Sequence, residues 1–66
     1  MAKGDDYQLA LTVRDACLQA AIDAYERAGM SGLCGEGRWE MAIQAIRALD
    51  LRPVIAEIEG VRRSEP

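Results

Sequence analysis

The stretch DYQLALTVRDACLQAAIDAYERA, residues 6–28, contains neither glycine nor proline and is followed at once by Gly29. Most of its residues are alanine, leucine, glutamine, glutamate or arginine, all of which favour a helix. The acidic Asp6 suits the positive end of a helix dipole, and Gly29 suits a C-terminal cap. The stretch therefore predicts a first helix over residues 6–28.

This predicted helix carries two adjoining apolar stripes when its residues are placed at 100° intervals. The bulky stripe consists of Tyr7, Leu11, Leu18, Ile22 and Tyr25. The small-residue stripe consists of Ala10, Val13, Cys17, Ala20, Ala21, Ala24 and Ala28. Together they are wider than the ~100° stripe that a helix needs against one neighbour. We therefore expect the bulky stripe to pack on the chain's own second helix and the small-residue stripe to pack on a second copy.

Arg14 lies between the two stripes and belongs to the predicted dimer contact. An unpaired buried guanidinium is very costly, so we expect an ion pair with another helix or subunit. Contact with a ligand anion and simple exposure at the rim are the alternatives. The predicted dimer interface is Ala10, Val13, Arg14, Cys17, Ala20, Ala21, Ala24 and Ala28.

A second apolar pattern begins after the glycine-rich segment that follows Gly29. Its members recur at i, i+3, i+4, i+7 and i+10, which is typical of an amphipathic helix; they are Trp39, Ala42, Ile43, Ile46 and Leu49. Either Ser31 caps this helix or it begins near Gly37 after an irregular loop. We predict residues 31–50, because Gly35 then falls on the face of Trp39.

Pro53 fits the first turn of a third helix, which we predict over residues 53–60. The ends, residues 1–4 and 62–66, are expected to fray. A chain of 66 residues, half of them apolar, buries only about 60% of its unfolded surface and is marginal alone. We therefore predict one all-α domain over residues 1–66, a helical hairpin with a short third helix that dimerises into a four-helix-type bundle.

The composition argues against several classes of function. Eight basic residues are scattered among eleven acidic ones, giving a net charge of −3, whereas nucleic-acid-binding proteins carry a clustered basic excess. No signal-peptide pattern or long apolar run is present, so we expect a cytoplasmic protein with no membrane partner. With two cysteines and no histidine, the sequence predicts no metal site, no cofactor and no catalytic residue.

The segment from Gly32 to Glu40 holds the only tryptophan of the chain. Trp and Arg dominate binding hot spots, so we predict a surface for a protein partner here, formed by Cys34, Glu36, Arg38 and Trp39. Two alternatives remain open: Trp39 as the central core residue, and Cys34 as a small apolar plug. A thiol in the first turn of a helix beside Arg38 is also a candidate reactive cysteine.

The pattern G-L-C-x-E-G-x-W-E at residues 32–40 resembles a group of short bacterial all-helical proteins whose function is not established. This resemblance implies a bacterial source and a shared architecture. It supplies no catalytic residue.

We therefore expect a small non-enzymatic interaction or regulatory module that acts as a homodimer and binds another protein. One alternative is a thiol-based redox sensor or enzyme that uses Cys34 in a pocket at the dimer interface. A small-ligand carrier or a structural subunit of a larger assembly is the second alternative.

Overall fold

A computed structural model describes residues 3–64 of the chain and the side chains of residues 6–58. It contains α1 (Lys3–Met30), α2 (Gly35–Ala48) and α3 (Leu51–Ser64), with no strand in this described part. The prediction of an all-helical chain is confirmed. Two compact units are present. Cys17–Leu49 forms one, and the other combines the chain up to Ala16 with the chain from Asp50 onward.

The C-terminal end of α1 depends on Gly32, which has a φ of 88°. Its N–H donates to the carbonyl of Gly29 at 3.1 Å, and the N–H of Leu33 donates to that of Ala28 at 3.0 Å. This pair of bonds is a Schellman motif, which satisfies the last carbonyls of a helix and requires a left-handed residue. The prediction that Gly29 caps the helix is therefore wrong, because Gly29 lies within α1 and Gly32 takes that role.

The start of α2 also differs from the prediction. Ser31 follows α1 directly and does not cap α2, because its N–H donates to the carbonyl of Arg27 in α1 at 3.0 Å. Cys34 is the N-cap of α2, and its carbonyl accepts the N–H of Arg38 at 2.9 Å. Helix α2 therefore runs from Gly35 to Ala48 rather than over residues 31–50, because the end of the first helix uses the residues that precede Cys34.

Helix α3 is longer than the predicted residues 53–60. It begins at Leu51 because the Asp50 side chain accepts the N–H of Arg52 at 3.0 Å, as an N-cap does. The same carboxylate accepts two bonds from the Arg52 guanidinium, at 3.0 and 2.9 Å. These bonds lower the pKa of Asp50 below its usual value.

Both ends of the described chain are more helical than predicted. Helix α1 begins at Lys3, and α3 passes through Gly60 to Ser64, since one glycine costs only about 1 kcal/mol in a helix. Of the ends expected to fray, residues 3–4 and 62–64 are helical. Residues 1–2 and 65–66 lie outside the described part.

Within Cys17–Leu49, the small-residue stripe of α1 faces α2. Ala28 and Ala42, 6% and 5% exposed, are the buried residues among those described. Along α1, Ala21 and Ala24 are half-buried. Because alanine side chains are short, two helices that meet through them can bring their backbones close together. The expectation that the bulky stripe packs on α2 is wrong, because Leu18 remains 53% exposed.

Replacing Gly32 by alanine tests the left-handed turn. The φ of 88° disfavours any Cβ, although no atom lies within 4 Å of the position that this Cβ would occupy. Because the cost comes from the backbone alone, we expect Gly32→Ala to lower the free energy of unfolding by about 1–2 kcal/mol. Urea denaturation at a fixed protein concentration measures it.

Gly35→Ala is the matched control. Gly35 is the first residue of α2, and its Cβ would also meet nothing within 4 Å. We expect this substitution to stabilise the chain by up to about 1 kcal/mol, because alanine restricts the unfolded state. Equal effects of the two substitutions would contradict the Schellman turn.

Candidate functional site

The side chain of Arg38 braces the loop between α1 and α2. Its Nε donates to the carbonyl of Leu33 at 3.0 Å. The guanidinium carbon lies 5.7 Å from the centre of the Tyr25 ring, a distance at which a cation interacts with an aromatic ring. A Cβ on Gly29 would lie only 3.1 Å from that carbon. Arg38 is therefore half-buried against its own chain.

The other three residues of the predicted partner surface are exposed. Trp39 is 63% exposed, so the alternative that it is the central core residue is wrong. Glu36 lies in the first turn of α2, and Cys34 is the cap that precedes it. At 100° per residue, Cys34 and Trp39 point to different sides of α2. The structure thus divides the predicted surface between two sides of the helix.

Trp39 belongs to an apolar face on one side of the contact between α1 and α2. A groove of about 370 Å³ lies there, lined by Ala21, Ile22, Tyr25, Glu26, Trp39 and Ala42. Helical spacing places Leu18 and Ile46 on the same side. We call the set of Leu18, Ile22, Tyr25, Trp39 and Ile46 the Trp39 face; its members are 53%, 49%, 42%, 63% and 42% exposed, respectively.

A second apolar groove lies on the other side of the same contact. Its volume is about 440 Å³, and its lining includes Ala24, Leu33, Met41, Ala45 and Ala48, with Arg27 among its polar residues. We call it the Met41 groove. Met41 is 47% exposed, and a flexible thioether side chain adapts to partners of different shape. Each side of the hairpin therefore presents apolar surface.

The predicted dimer interface is distributed unevenly. Ala28 is buried within the chain, and the other seven residues are either half-buried or exposed. Val13, Cys17, Ala20, Ala21 and Ala24 are half-buried, whereas Ala10 and Arg14 are exposed. Within Cys17–Leu49, the C-terminal part of the small-residue stripe packs against α2.

Cys34 is exposed and free, whereas the other free cysteine, Cys17, is half-buried. The backbone N–H groups of Gly37 and Glu36 lower the pKa of the Cys34 thiol, and the charge of Arg38 lowers it further. The side chain forms no capping hydrogen bond of ordinary geometry, so these N–H groups act on the sulfur as nearby dipoles. Cys34 is therefore an accessible thiol whose pKa lies below its usual value, the combination typical of a reactive cysteine.

Other sites are not supported by the described residues. No group of three cysteine, aspartate or glutamate side chains in that part of the chain is placed to hold a metal ion. No helix described there is long and apolar enough to cross a membrane.

Two features were missed at the level of sequence. The Met41 groove could not be found, because Met41 and Leu33 lie outside the apolar stripe of α2 and meet only when the loop folds. The N-cap at Asp50 had a detectable signal, since an aspartate shortly before Pro53 is typical of a helix start.

Comparison with family models, curated proteins and solved structures gives no match for this chain. Its function is therefore inferred from the two apolar surfaces and from Cys34.

The brace formed by Arg38 predicts a loss of stability when its side chain is shortened. Arg38→Ala removes the bond to Leu33 and the contact with Tyr25, so we expect the free energy of unfolding to fall by about 1–2 kcal/mol. Arg38→Lys keeps the charge but loses the Nε bond, so its free energy of unfolding should lie between those of the wild type and Arg38→Ala. Arg47→Ala, an exposed position on the same helix, should change stability by less than about 0.5 kcal/mol. Equal losses at both arginines would contradict the brace.

The lowered pKa of Cys34 predicts its alkylation behaviour. The thiolate reacts, so a lowered pKa moves the rise of the iodoacetamide rate to a lower pH than for an ordinary thiol. We expect peptide mapping by mass spectrometry to show Cys34 labelled before the half-buried Cys17. The Cys34→Ser variant should retain only the slow alkylation of Cys17. If the alkylation rate of Cys34 rose at the pH of an ordinary thiol, the lowered pKa would be contradicted.

Proposed function

We propose that this chain is a small non-enzymatic helical interaction module that works as a homodimer and binds another protein. The observation that supports this function best is the large apolar surface on both sides of the α1–α2 contact. Trp39 at 63% exposure and Met41 at 47% exposure represent the two sides.

The packing within Cys17–Leu49 is too thin to account for the apolar content of this unit. Its buried described residues are two alanines, Ala28 and Ala42. Burying one methyl-sized group contributes only about 0.8 kcal/mol, whereas fixing the backbone of one residue costs about 1–2 kcal/mol. Apolar contact with other molecules supplies further burial, and the exposed bulky side chains provide the surface for it.

Two surfaces suit a module with two kinds of partner. The Trp39 face and the Met41 groove lie on opposite sides of the same helix pair, so both can be occupied at once. We assign the second copy to the Trp39 face and the other protein to the Met41 groove. An amphipathic helix is the partner segment that such an interhelical groove accepts, and Arg27 at its rim favours an acidic residue on that segment.

A thiol-based sensor that uses Cys34 is the second candidate. It is favoured by the exposure of this thiol and by its lowered pKa. The alkylation profile of Cys34 is its direct test, since an ordinary profile would remove the support for it.

Sedimentation and site-directed cross-linking test the proposed module. At micromolar concentration we expect the chain to sediment with twice its monomer mass. With p-benzoylphenylalanine in place of Met41, irradiation in an extract of the source cells should link the chain to a discrete protein. The same probe at Asp23, an exposed residue that helical spacing places away from α2, serves as the control.

The captured protein must then bind the purified wild-type chain. We expect Met41→Lys to weaken this binding at least about tenfold, because a charge enters an apolar contact. A sedimenting monomer would contradict the homodimer. Identical products from both probe positions, or unchanged binding by Met41→Lys, would contradict the protein-binding groove.

A further inference from the structure

We propose that the second copy docks on the Trp39 face with α2 packed antiparallel on α2 of the other copy, so that Arg47 of each copy pairs with Glu40 of the other. This docking rests on the homodimer of the proposed function. It names the helix that meets its own copy and the direction in which the two run, and it replaces the small-residue stripe of α1 as the dimer contact.

The small-residue stripe of α1 is already used within the chain, where α1 meets α2. Ala28 is 6% exposed, and Ala21 and Ala24 are half-buried beside it. A second helix cannot approach these three alanines without displacing α2. Of the apolar surfaces beside this contact, the Trp39 face carries the bulkiest exposed side chain, that of Trp39 itself.

The area of the Trp39 face is sufficient for a weak but specific dimer. A bulky apolar side chain presents on the order of 200 Å², so the five exposed fractions together leave on the order of 500 Å² per copy. Two copies joined through this face bury on the order of 1,000 Å², which is near the lower bound for a specific interface. A contact between two identical faces must also be self-complementary, and the charges of α2 meet that condition.

A stripe of charged side chains runs along α2 and carries both signs. Glu36, Glu40 and Arg47 follow at spacings of four and seven residues, which keeps them within about 40° of one another around the helix. All three side chains are exposed, and among the described side chains the ion pair is that of Asp50 with Arg52. The stripe is therefore acidic toward the start of α2, basic in its last turn and open to charges from another molecule.

This stripe borders the Trp39 face on the flank of α2 that points away from α1. Ile43 is four residues from both Trp39 and Arg47, and each step of four residues turns about 40° in the same direction. Arg47 is also five residues from the buried Ala42, and this spacing turns it about 140° away from the contact with α1. Arg47 and Glu40 thus lie at the outer edge of the apolar face.

Arg38 does not neutralise this flank. It is nine residues before Arg47, which places the two about 180° apart around α2. Its Nε bonds the carbonyl of Leu33, and its guanidinium carbon lies 5.7 Å from the centre of the Tyr25 ring. The positive charge of Arg38 therefore lies on the inner side of α2, whereas Glu40 lies on the outer flank.

A two-fold axis that lies between the copies, perpendicular to α2 and level with Ile43, makes the two flanks match. This rotation reverses the direction of α2 but keeps its outer flank on the same side of the dimer. Arg47 is four residues after Ile43 and Glu40 is three before it, about 6 Å and 4.5 Å along the helix. Arg47 of each copy therefore comes level, within about 1.5 Å, with Glu40 of the other. Trp39 and Ile46 lie four residues before and three after Ile43, so they meet across the axis in the same way.

The other face-to-face arrangement, with the axis along the helices, is opposed by like charges. It places α2 of one copy on α1 of the other, with both loops at the same end. Glu26 and Trp39 line one groove, so Glu26 is level with the first turns of α2, and helical spacing from Ala21 turns it to the outer flank of α1. Glu40 of one copy would then face Glu26 of the other, and this repulsion disfavours the arrangement.

Sedimentation equilibrium of the full chain and its variants tests the face. We expect Trp39→Gln and Leu18→Gln each to raise the dimer dissociation constant at least about tenfold, as loss of a hot-spot side chain does. Both residues are more than half exposed, so the helical circular dichroism of each variant should remain that of the wild type. Met41→Lys, on the other side of the helix pair, should leave the constant within about twofold. A wild-type dimer that neither glutamine substitution weakens, or that Met41→Lys weakens equally, would overturn the face.

Mixing two charge variants tests the pairing of α2 with α2. A symmetric dimer holds the contact twice, so Arg47→Glu and Glu40→Lys alone each create two like-charge contacts and should weaken the dimer about threefold to tenfold. In an equimolar mixture, the heterodimer of the two variants has opposite charges at both contacts. We expect native mass spectrometry, which separates the three dimers by mass, to show the heterodimer well above its share for random pairing.

Asp23→Lys is the matched control for Glu40→Lys. It makes the same charge change on an exposed side chain that helical spacing places away from the Trp39 face. Alone it should leave the dissociation constant within about twofold of the wild type, and mixed with Arg47→Glu it should give a heterodimer share near that of random pairing. Equal heterodimer shares in the two mixtures would overturn the antiparallel pairing of α2.

The two proposals fail in different ways. A monomeric wild type would overturn the homodimer and the docking together, and binding at the Met41 groove would then stand or fall by its own cross-linking result. A wild-type dimer that resists all of these substitutions would overturn the docking alone.

Discussion

The arrangement of Cys17–Leu49 depends on the alanine contact between α1 and α2, where Ala28 and Ala42 are buried. A contact made by such short side chains holds two helix axes close together, so larger residues next to it have no room between the helices. Leu18, Ile22 and Trp39 are therefore directed to the sides, where about half or more of each side chain is exposed. The same contact that joins the helices creates the two apolar surfaces on which the proposed function rests.

The loop at the end of this contact has to end one helix and begin the next within a few residues. Ser31 and Gly32 complete the last turn of α1, and Cys34 begins α2. Arg38 then reaches back from α2 to the carbonyl of Leu33 and to Tyr25. Within the segment that the sequence singled out, Gly32 and Arg38 thus have structural roles, whereas Cys34 and Trp39 remain exposed. Placing Cys34 as the cap also explains its lowered pKa, since the first N–H groups of α2 have no carbonyl partner within the helix.

The existence of the helices could be read from the sequence, because apolar periodicity and the absence of glycine in residues 6–28 are local properties. Helix ends were less predictable, since Gly29 and Gly32 both suit a cap and only the hydrogen bonds distinguish them. The apolar pattern alone could not predict which of the two stripes of α1 packs against α2. Periodicity groups Tyr25 with Leu18 and Ala28 with Ala24, but it does not say whether the bulky or the small group packs inside. The close approach of the backbones determined that choice, and the position of Trp39 followed from it.

A helix pair that buries Ala28 and Ala42 and leaves side chains such as Leu18 and Trp39 mostly exposed couples its folding to any association through those side chains. Each molecule that covers the Trp39 face or the Met41 groove binds the folded hairpin and not the unfolded chain, so it stabilises the fold by mass action. For the proposed homodimer, stability should then rise with protein concentration, even though no contact within the chain changes. Such coupling also favours exchange of partners, because a modest interface can open without leaving a large core to be rebuilt. The proposed interaction module would therefore gain its specificity from what it binds, and the buried alanines between α1 and α2 would serve chiefly to orient the two surfaces.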